Sequence, residues 1–156
     1  MQIDRPWMPS SYGVADGAGP LVWGEICQRL ESARNYWICS SRPGGAPHSV
    51  PVWGVWLENS LCFGTASESV KARNLSACSA CSLHLESGDE PVMLEGQALP
   101  LEGDLLERAD ALYKAKYGLG LRDSPGDLSF FRVAPGRAMA WREQDFPASA
   151  TRWTFS

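Results

Sequence analysis

The sequence has 156 residues, of which 44% are hydrophobic and 21% are charged, and its formal net charge is −4 at pH 7. This length suits one domain with its own packed core, and the composition excludes a disordered, collagen-like or coiled-coil chain. The excess of acidic residues argues against nucleic acid as a partner, because sequence-independent binding to a phosphate backbone requires a basic surface.

Membrane insertion and secretion are not indicated. No apolar run approaches the roughly 18 residues that a membrane span needs, and residues 1–7 include Asp4 and Arg5 and have no apolar core. A secretory signal would need such a core. We therefore expect a cytoplasmic protein with no membrane partner.

The five cysteines are an odd number scattered through apolar segments, which favours buried free thiols over a disulfide framework. Cys78 and Cys81 form a single C-x-x-C pair. Because zinc needs a second pair of ligands, we predict no metal site.

In chain order, residues 1–20 are rich in Pro, Ser and Gly and predict an irregular N-terminal arm, and residues 21–156 predict a single domain. Apolar residues at helical spacing predict helices over 21–33 and 103–117, and serines ahead of good helix formers predict a helix start within 67–75. The predicted strands are 36–41, 48–56, 61–65, 81–85, 91–99, 129–133 and 137–141.

Pro51 lies inside the second predicted strand. Since proline cannot donate to a strand ladder, this segment should be a sheet edge, a bulge, or a place where a ligand faces the backbone. Many short strands with two or three inserted helices favour an antiparallel barrel of mixed α+β class, not alternating βαβ units. No Gly-x-Gly-x-x-Gly or Walker-type loop is present.

Residues 65–74 carry the clearest chemical pattern. A strand end here meets a helix start that holds Ser67, Ser69, Lys71 and Arg73. A helix N-terminus offers free N–H groups and a partial positive charge, so hydroxyls and cations at this point can bind a phosphate group. On spacing alone, a capped surface helix with solvated cations is the favoured interpretation.

Five segments can be considered together, at 33–38, 42–53, 61–65, 71–75 and 82–86. In order and spacing they resemble the pyridoxamine 5'-phosphate oxidase-like family, over about residues 21–141. Segments 146–147 and 150–153 resemble the tails of its small flavin/deazaflavin oxidoreductase branch. The resemblance implies an FMN-binding split β-barrel that forms a homodimer, with the cofactor between the subunits.

The resemblance also implies the site residues. The residues that match the strand along the isoalloxazine are His48, Ser49, Val50, Pro51 and Val52. Those that match the phosphate-binding positions are Thr65, Ser69 and Lys71, and those that match the basic helix start of deazaflavin-binding members are Arg73 and Asn74. No catalytic side chain is implied, because the cofactor itself carries the redox chemistry.

The leading hypothesis is an oxidoreductase that uses FMN or the deazaflavin coenzyme F420 to reduce a small conjugated or aromatic substrate. The alternatives are a non-catalytic module that binds flavin or a heme-like tetrapyrrole, and a structural barrel with an empty site. The family's vitamin B6 oxidases have an arginine at the opening of the ring-contacting strand, where this chain has His48 and Ser49. Oxidation of vitamin B6 is therefore not expected.

Two aromatic features remain open at this stage. His84 alternates with two leucines and predicts a barrel-wall histidine with a hydrogen-bond partner. The tryptophans could line a flat ligand, fill the core or cover a dimer interface, and the candidates are Trp53, Trp56, Trp141 and Trp153.

Overall fold

A computed structural model describes residues 1–13 and 19–156. The α-helices are α1 (Trp23–Ser32), α2 (Val70–Ala77) and α3 (Gly103–Tyr117), and short 3-10 turns cover Ser10–Tyr12 and Glu143–Asp145. The strands are β1 (Gln2–Asp4), β2 (Tyr36–Ser41), β3 (Pro47–Val52), β4 (Val55–Leu57), β5 (Ser60–Ala66), β6 (Ala80–His84), β7 (Val92–Pro100), β8 (Leu128–Ala140) and β9 (Thr151–Thr154).

The nine strands found in residues 1–13 and 19–156 form one antiparallel sheet. Its main path runs β1-β9-β8-β7-β6-β2-β3, and β5 joins it through β8 while pairing with β4 on its other side. The 13-residue strand β8 therefore pairs with β5, β7 and β9. Such sharing of one long strand curves the sheet into a split barrel, and the α+β fold class expected from the sequence is confirmed.

The hairpin between β2 and β3 follows directly from its turn residues. Gly44 and Gly45 have φ values of 93° and 87°, which only glycine adopts without strain. Arg42 closes the turn, since its N–H donates to the Ala46 carbonyl at 2.9 Å and its carbonyl accepts from Gly45 at 2.8 Å. In β2 the buried side chains alternate, so one face of the hairpin packs against the core.

Two hydrophobic clusters hold the helices on the sheet. The larger one lies inside the barrel and includes Ile26 and Leu30 of α1, which lie four residues apart on one helix face. The smaller one packs α3 against β4 and β5 through residues such as Ala109 and Tyr113. Among the described residues, no helix is long and apolar enough to cross a membrane, and no group of three metal-binding side chains is assembled.

Four sequence predictions need correction. The arm predicted over 1–20 contains β1, which exists because it pairs with β9, and residues 14–18 of that arm lie outside the described part. The sequence prediction also missed β9. The predicted strand 48–56 breaks after Val52 and continues as β4 from Val55. Gly54 lies in the break, where its lack of a side chain permits close approach to β5, since a Cβ there would lie 2.9 Å from the Cys62 carbonyl. The predicted strands 129–133 and 137–141 are one strand, β8, since a β-bulge at Gly136 of β8, opposite Glu95 and Gly96 of β7, accommodates the irregular register.

Candidate functional site

The junction between β5 and α2 places two hydroxyl groups at a helix start. Thr65 Oγ1 lies 3.2 Å from Ser69 Oγ, and Ser69 is the N-cap of α2, its hydroxyl accepting from the Ala72 N–H at 3.2 Å. The N–H groups of Val70 and Lys71 open the helix and have no intrahelical acceptor. The junction therefore presents hydroxyls and backbone donors together.

Lys71 adds a positive charge to this junction. Its side chain is partly buried, and burial lowers the pKa of its ammonium group. Within the part of the chain that is described, Lys71 has neither an ion-pair partner nor a side-chain hydrogen bond. A partly desolvated cation without a counter-ion favours an anionic ligand.

Two neighbouring polar residues form hydrogen bonds that hold the loop between β5 and α2 in place. Arg73 Nη1 donates to the Glu68 carbonyl at 2.6 Å, so this exposed guanidinium folds back on the loop before the helix. Ser67 donates its N–H to the Asp127 carbonyl at 3.0 Å, and its hydroxyl lies 2.9 Å from Ser129 Oγ. These contacts fix the loop that carries Ser69 and Lys71 against the start of β8.

A buried hydrogen bond connects α2 to the β2–β3 hairpin. Asn74 Nδ2 donates to Ser40 Oγ at 3.1 Å, and the two residues are only 3% and 4% exposed. Ser40 in β2 pairs directly with His48 in β3. Because directly opposed residues of paired strands point to the same face, His48 lies on the side of the hairpin that α2 approaches.

Strand β3 alternates between two environments. His48 and Val50 are half-buried and Val52 is buried, whereas Ser49 and Pro51 are exposed. β3 ends the main path of the sheet, with β2 as its neighbour, so the sheet-edge position allowed for by Pro51 is confirmed. Arg42 Nη2 lies 3.5 Å from His48 Nδ1, and Cys39 Sγ lies 3.1 Å from Ser49 Oγ.

The structure thus brings most of the predicted residues to one side of the barrel. Thr65, Ser69 and Lys71 gather at the start of α2, Asn74 links that helix to β2, and β3 runs alongside, whereas Arg73 turns toward Glu68. Ser40 was missed as a site residue. It was detectable as the polar member of the alternating buried set Tyr36, Ile38 and Ser40.

His84 lies on the outer face of the sheet, beside a cavity of about 190 Å³ that Met93 and Met139 also line. Its Nδ1 lies 2.8 Å from the Leu85 carbonyl, and a carbonyl only accepts, so Nδ1 carries the proton and Nε2 keeps its lone pair in the neutral ring. The imidazole is nearly parallel to the indole of Trp37, with 6.1 Å between ring centroids. The predicted partner of this histidine is therefore a backbone carbonyl.

The four candidate tryptophans divide between core and surface. Trp153 and Trp56 are buried in the core at 0% and 7% exposure. Trp141 packs against Phe146 with a centroid distance of 5.5 Å. Trp53, which follows β3, remains 38% exposed and is stacked on Tyr117 at 4.7 Å.

Comparisons with known proteins agree with this geometry. The sequence profile of the family described as pyridoxamine 5'-phosphate oxidase matches residues 22–142. No curated protein matches the chain.

Solved structures share the fold at low sequence identity. A conserved hypothetical protein from Mycobacterium tuberculosis has a TM-score of 0.69 and 23% identity, with 80% of this chain and 87% of that chain covered. A structure described as an F420 reductase has a TM-score of 0.57 and 21% identity, with 70% and 91% covered. A heme binding protein from Mycobacterium smegmatis has a TM-score of 0.66 and 20% identity, with 82% and 56% covered.

Proposed function

The chain belongs to the pyridoxamine 5'-phosphate oxidase family, and from this membership we propose that it is an oxidoreductase that binds FMN or the deazaflavin coenzyme F420. The observation that carries the proposal is Lys71, a partly buried ammonium group at the start of α2 that has no counter-ion among the described residues. A cofactor phosphate would supply the missing anion, with donors from the Thr65 and Ser69 hydroxyls.

Strand β3 supports the second half of the same site. Its exposed edge offers backbone groups that β2 does not use, and a flat isoalloxazine can lie along them without a competing strand. Within the proposal, residues 48–52 contact the ring, and Asn74 holds α2 in place through Ser40. Arg73 offers a longer acidic tail the guanidinium N–H donors that its bond to the Glu68 carbonyl leaves over.

The proposed assembly is a homodimer, because β3 and the start of α2 are open on one side in a single chain and a ring bound there would stay exposed to water. A second subunit would cover it and exclude solvent from hydride transfer. The bound cofactor supplies the redox chemistry, and the substrate in this proposal is a small conjugated or aromatic molecule. The cytoplasmic location expected from the sequence stays a prediction.

Cofactor titration tests the proposal. We expect purified protein to bind FMN or F420, measured by visible absorbance and fluorescence, and Lys71→Ala to weaken binding at least tenfold, because one charge-assisted phosphate contact is lost. Lys114→Ala is the matched control, since Lys114 is an exposed lysine on α3. Absence of binding to either cofactor would reject the proposal.

A heme-binding module is the second candidate, and His84 is the observation that favours it. Its Nδ1 proton is held by a backbone carbonyl, which is the arrangement that orients Nε2 toward a metal. Hemin titration should then sharpen and shift the Soret band of free hemin, and His84→Ala should abolish that change. His48→Ala is a clean control, because the sequence has only 2 histidines.

A further inference from the structure

A second cavity lies between α1, β4 and α3 and has a volume of about 730 Å³. Sites for small organic ligands are typically about 300–1,000 Å³. None of the residues that line it belongs to the proposed cofactor site. Its apolar wall includes Val55, Trp56 and Leu112, and its polar groups include Glu31, Asn59 and Lys116.

All three N–H groups of the Lys116 ammonium form hydrogen bonds within the protein. Its ammonium group donates to the Glu31 carbonyl at 3.3 Å, to the Tyr36 hydroxyl at 3.1 Å and to the Gly54 carbonyl at 3.1 Å. Nζ also lies 5.0 Å from the ring centroid of Tyr36 and 5.3 Å from that of Tyr117. An ammonium group has three protons, so none is left for a ligand in the cavity.

The other polar groups of the wall are also largely committed. Glu58 forms an ion pair with Arg108 at 2.5 Å. Asn59 Oδ1 accepts from the indole N–H of Trp23 at 3.2 Å. Glu58 and Asn59 have positive φ values of 49° and 54°, as expected for the two central residues of the tight turn that joins β4 to β5.

The Glu31 side chain, which is exposed to solvent where it lines the cavity, is the exception. Its carboxylate forms no ion pair and no hydrogen bond with any residue in the described ranges 1–13 and 19–156. The cavity thus combines an apolar wall with one uncommitted negative group. This is the complement of an organic cation with a hydrophobic body.

We propose that this cavity binds a small hydrophobic amine. The apolar body of the ligand packs against Val55, Trp56 and Leu112, and its ammonium group donates to the Glu31 carboxylate. The site is independent of the proposed cofactor, so binding does not require FMN, F420 or heme.

Three indoles of similar shape and different charge test this proposal by isothermal titration calorimetry. They are the cation tryptamine, the neutral alcohol tryptophol and the anion indole-3-propionate. We expect tryptamine to bind best, and Glu31→Gln to lower its affinity about tenfold while leaving tryptophol unchanged, as expected for one charge-assisted hydrogen bond. Glu25→Gln is the control, because Glu25 is an acidic residue of the same helix that does not line the cavity.

Two results would overturn the proposal. One is that the three indoles bind equally, or not at all, in protein with and without FMN. The other is that a second copy of the chain covers the cavity, in which case Leu112→Glu lowers the mass measured by sedimentation and tryptamine does not bind. Neither outcome changes the result expected when FMN or F420 is titrated into the wild type and Lys71→Ala. Failure of this inference is therefore distinguishable from failure of the proposed function.

Discussion

Replacement of Ser40 by alanine tests the connection between α2 and the β2–β3 hairpin. Ser40 and Asn74 are 4% and 3% exposed and share one hydrogen bond of 3.1 Å. Ser40→Ala removes the acceptor of a buried amide, and such an unsatisfied donor costs about 1–3 kcal/mol. For a domain of this size, we expect a fall in Tm of about 2–4 °C for each kcal/mol.

The assay is urea unfolding of the wild type, Ser40→Ala, Asn74→Leu and the double variant. The double variant should recover about 1 kcal/mol relative to the sum of the single losses, because neither buried partner then remains unpaired. Ser41→Ala is the control, since Ser41 is the exposed neighbour in the same strand. The reasoning is refuted if Ser40→Ala stays within about 0.5 kcal/mol of wild type, the spread of ordinary surface substitutions.

Three further predictions concern the protein's stability and its thiols. Burial lowers the pKa of Lys116 to about 8, so the unfolded chain binds the ammonium proton of Lys116 more tightly than the folded protein does. The free energy of unfolding should therefore rise by about 1 kcal/mol between pH 8 and 10.5, after allowance for the partial exposure of the side chain. Urea curves of Lys116→Met should lack that rise, and an identical pH dependence would contradict it. Gly96→Ala should lower the free energy of unfolding in urea by about 2 kcal/mol or more, because its Cβ would lie 2.2 Å from a backbone oxygen. Gly88→Ala is the control and should be nearly neutral, since a Cβ at Gly88 meets open space. Equal losses of stability in the two variants would contradict the prediction. Burial raises the pKa of the Cys62 thiol to about 11, so an aromatic disulfide reagent at pH 8 should modify exposed Cys78 rapidly and spare buried Cys62 until unfolding. Rapid labelling of the Cys62 peptide in folded protein, located by mass spectrometry, would be inconsistent.

Elements with local signals were predictable from the sequence. Helix α3 was predicted and found over Gly103–Tyr117, because its apolar residues repeat at helical spacing and Gly118 ends it in the left-handed conformation, with φ of 81°. The β2–β3 hairpin was predictable for the same kind of reason, since two glycines specify its turn. In both cases the determinants lie within a few residues of the element.

Elements that depend on distant partners were not predictable. β1 and β9 are three and four residues long, and they become strands because β9 pairs with β8 and β1 pairs with β9. The junction of β5 and α2 was visible as a pattern of hydroxyls and cations. Neither the turn of Arg73 toward Glu68 nor the Asn74–Ser40 bond was visible, because sequence spacing does not determine which side chains meet across the fold.

The order in which the strands are synthesised matters for a sheet organised around β8. β5 and β7 leave the ribosome before the strand that joins them, since β8 begins at Leu128. Until residue 140 emerges, both strands have unpaired edges and the barrel interior is open to solvent, which is when chains are most prone to aggregate. A ribosome stalled before residue 128 should therefore carry a nascent chain that is sensitive to protease and bound by chaperones. Once residue 140 has emerged, the protease sensitivity and the chaperone binding should both end.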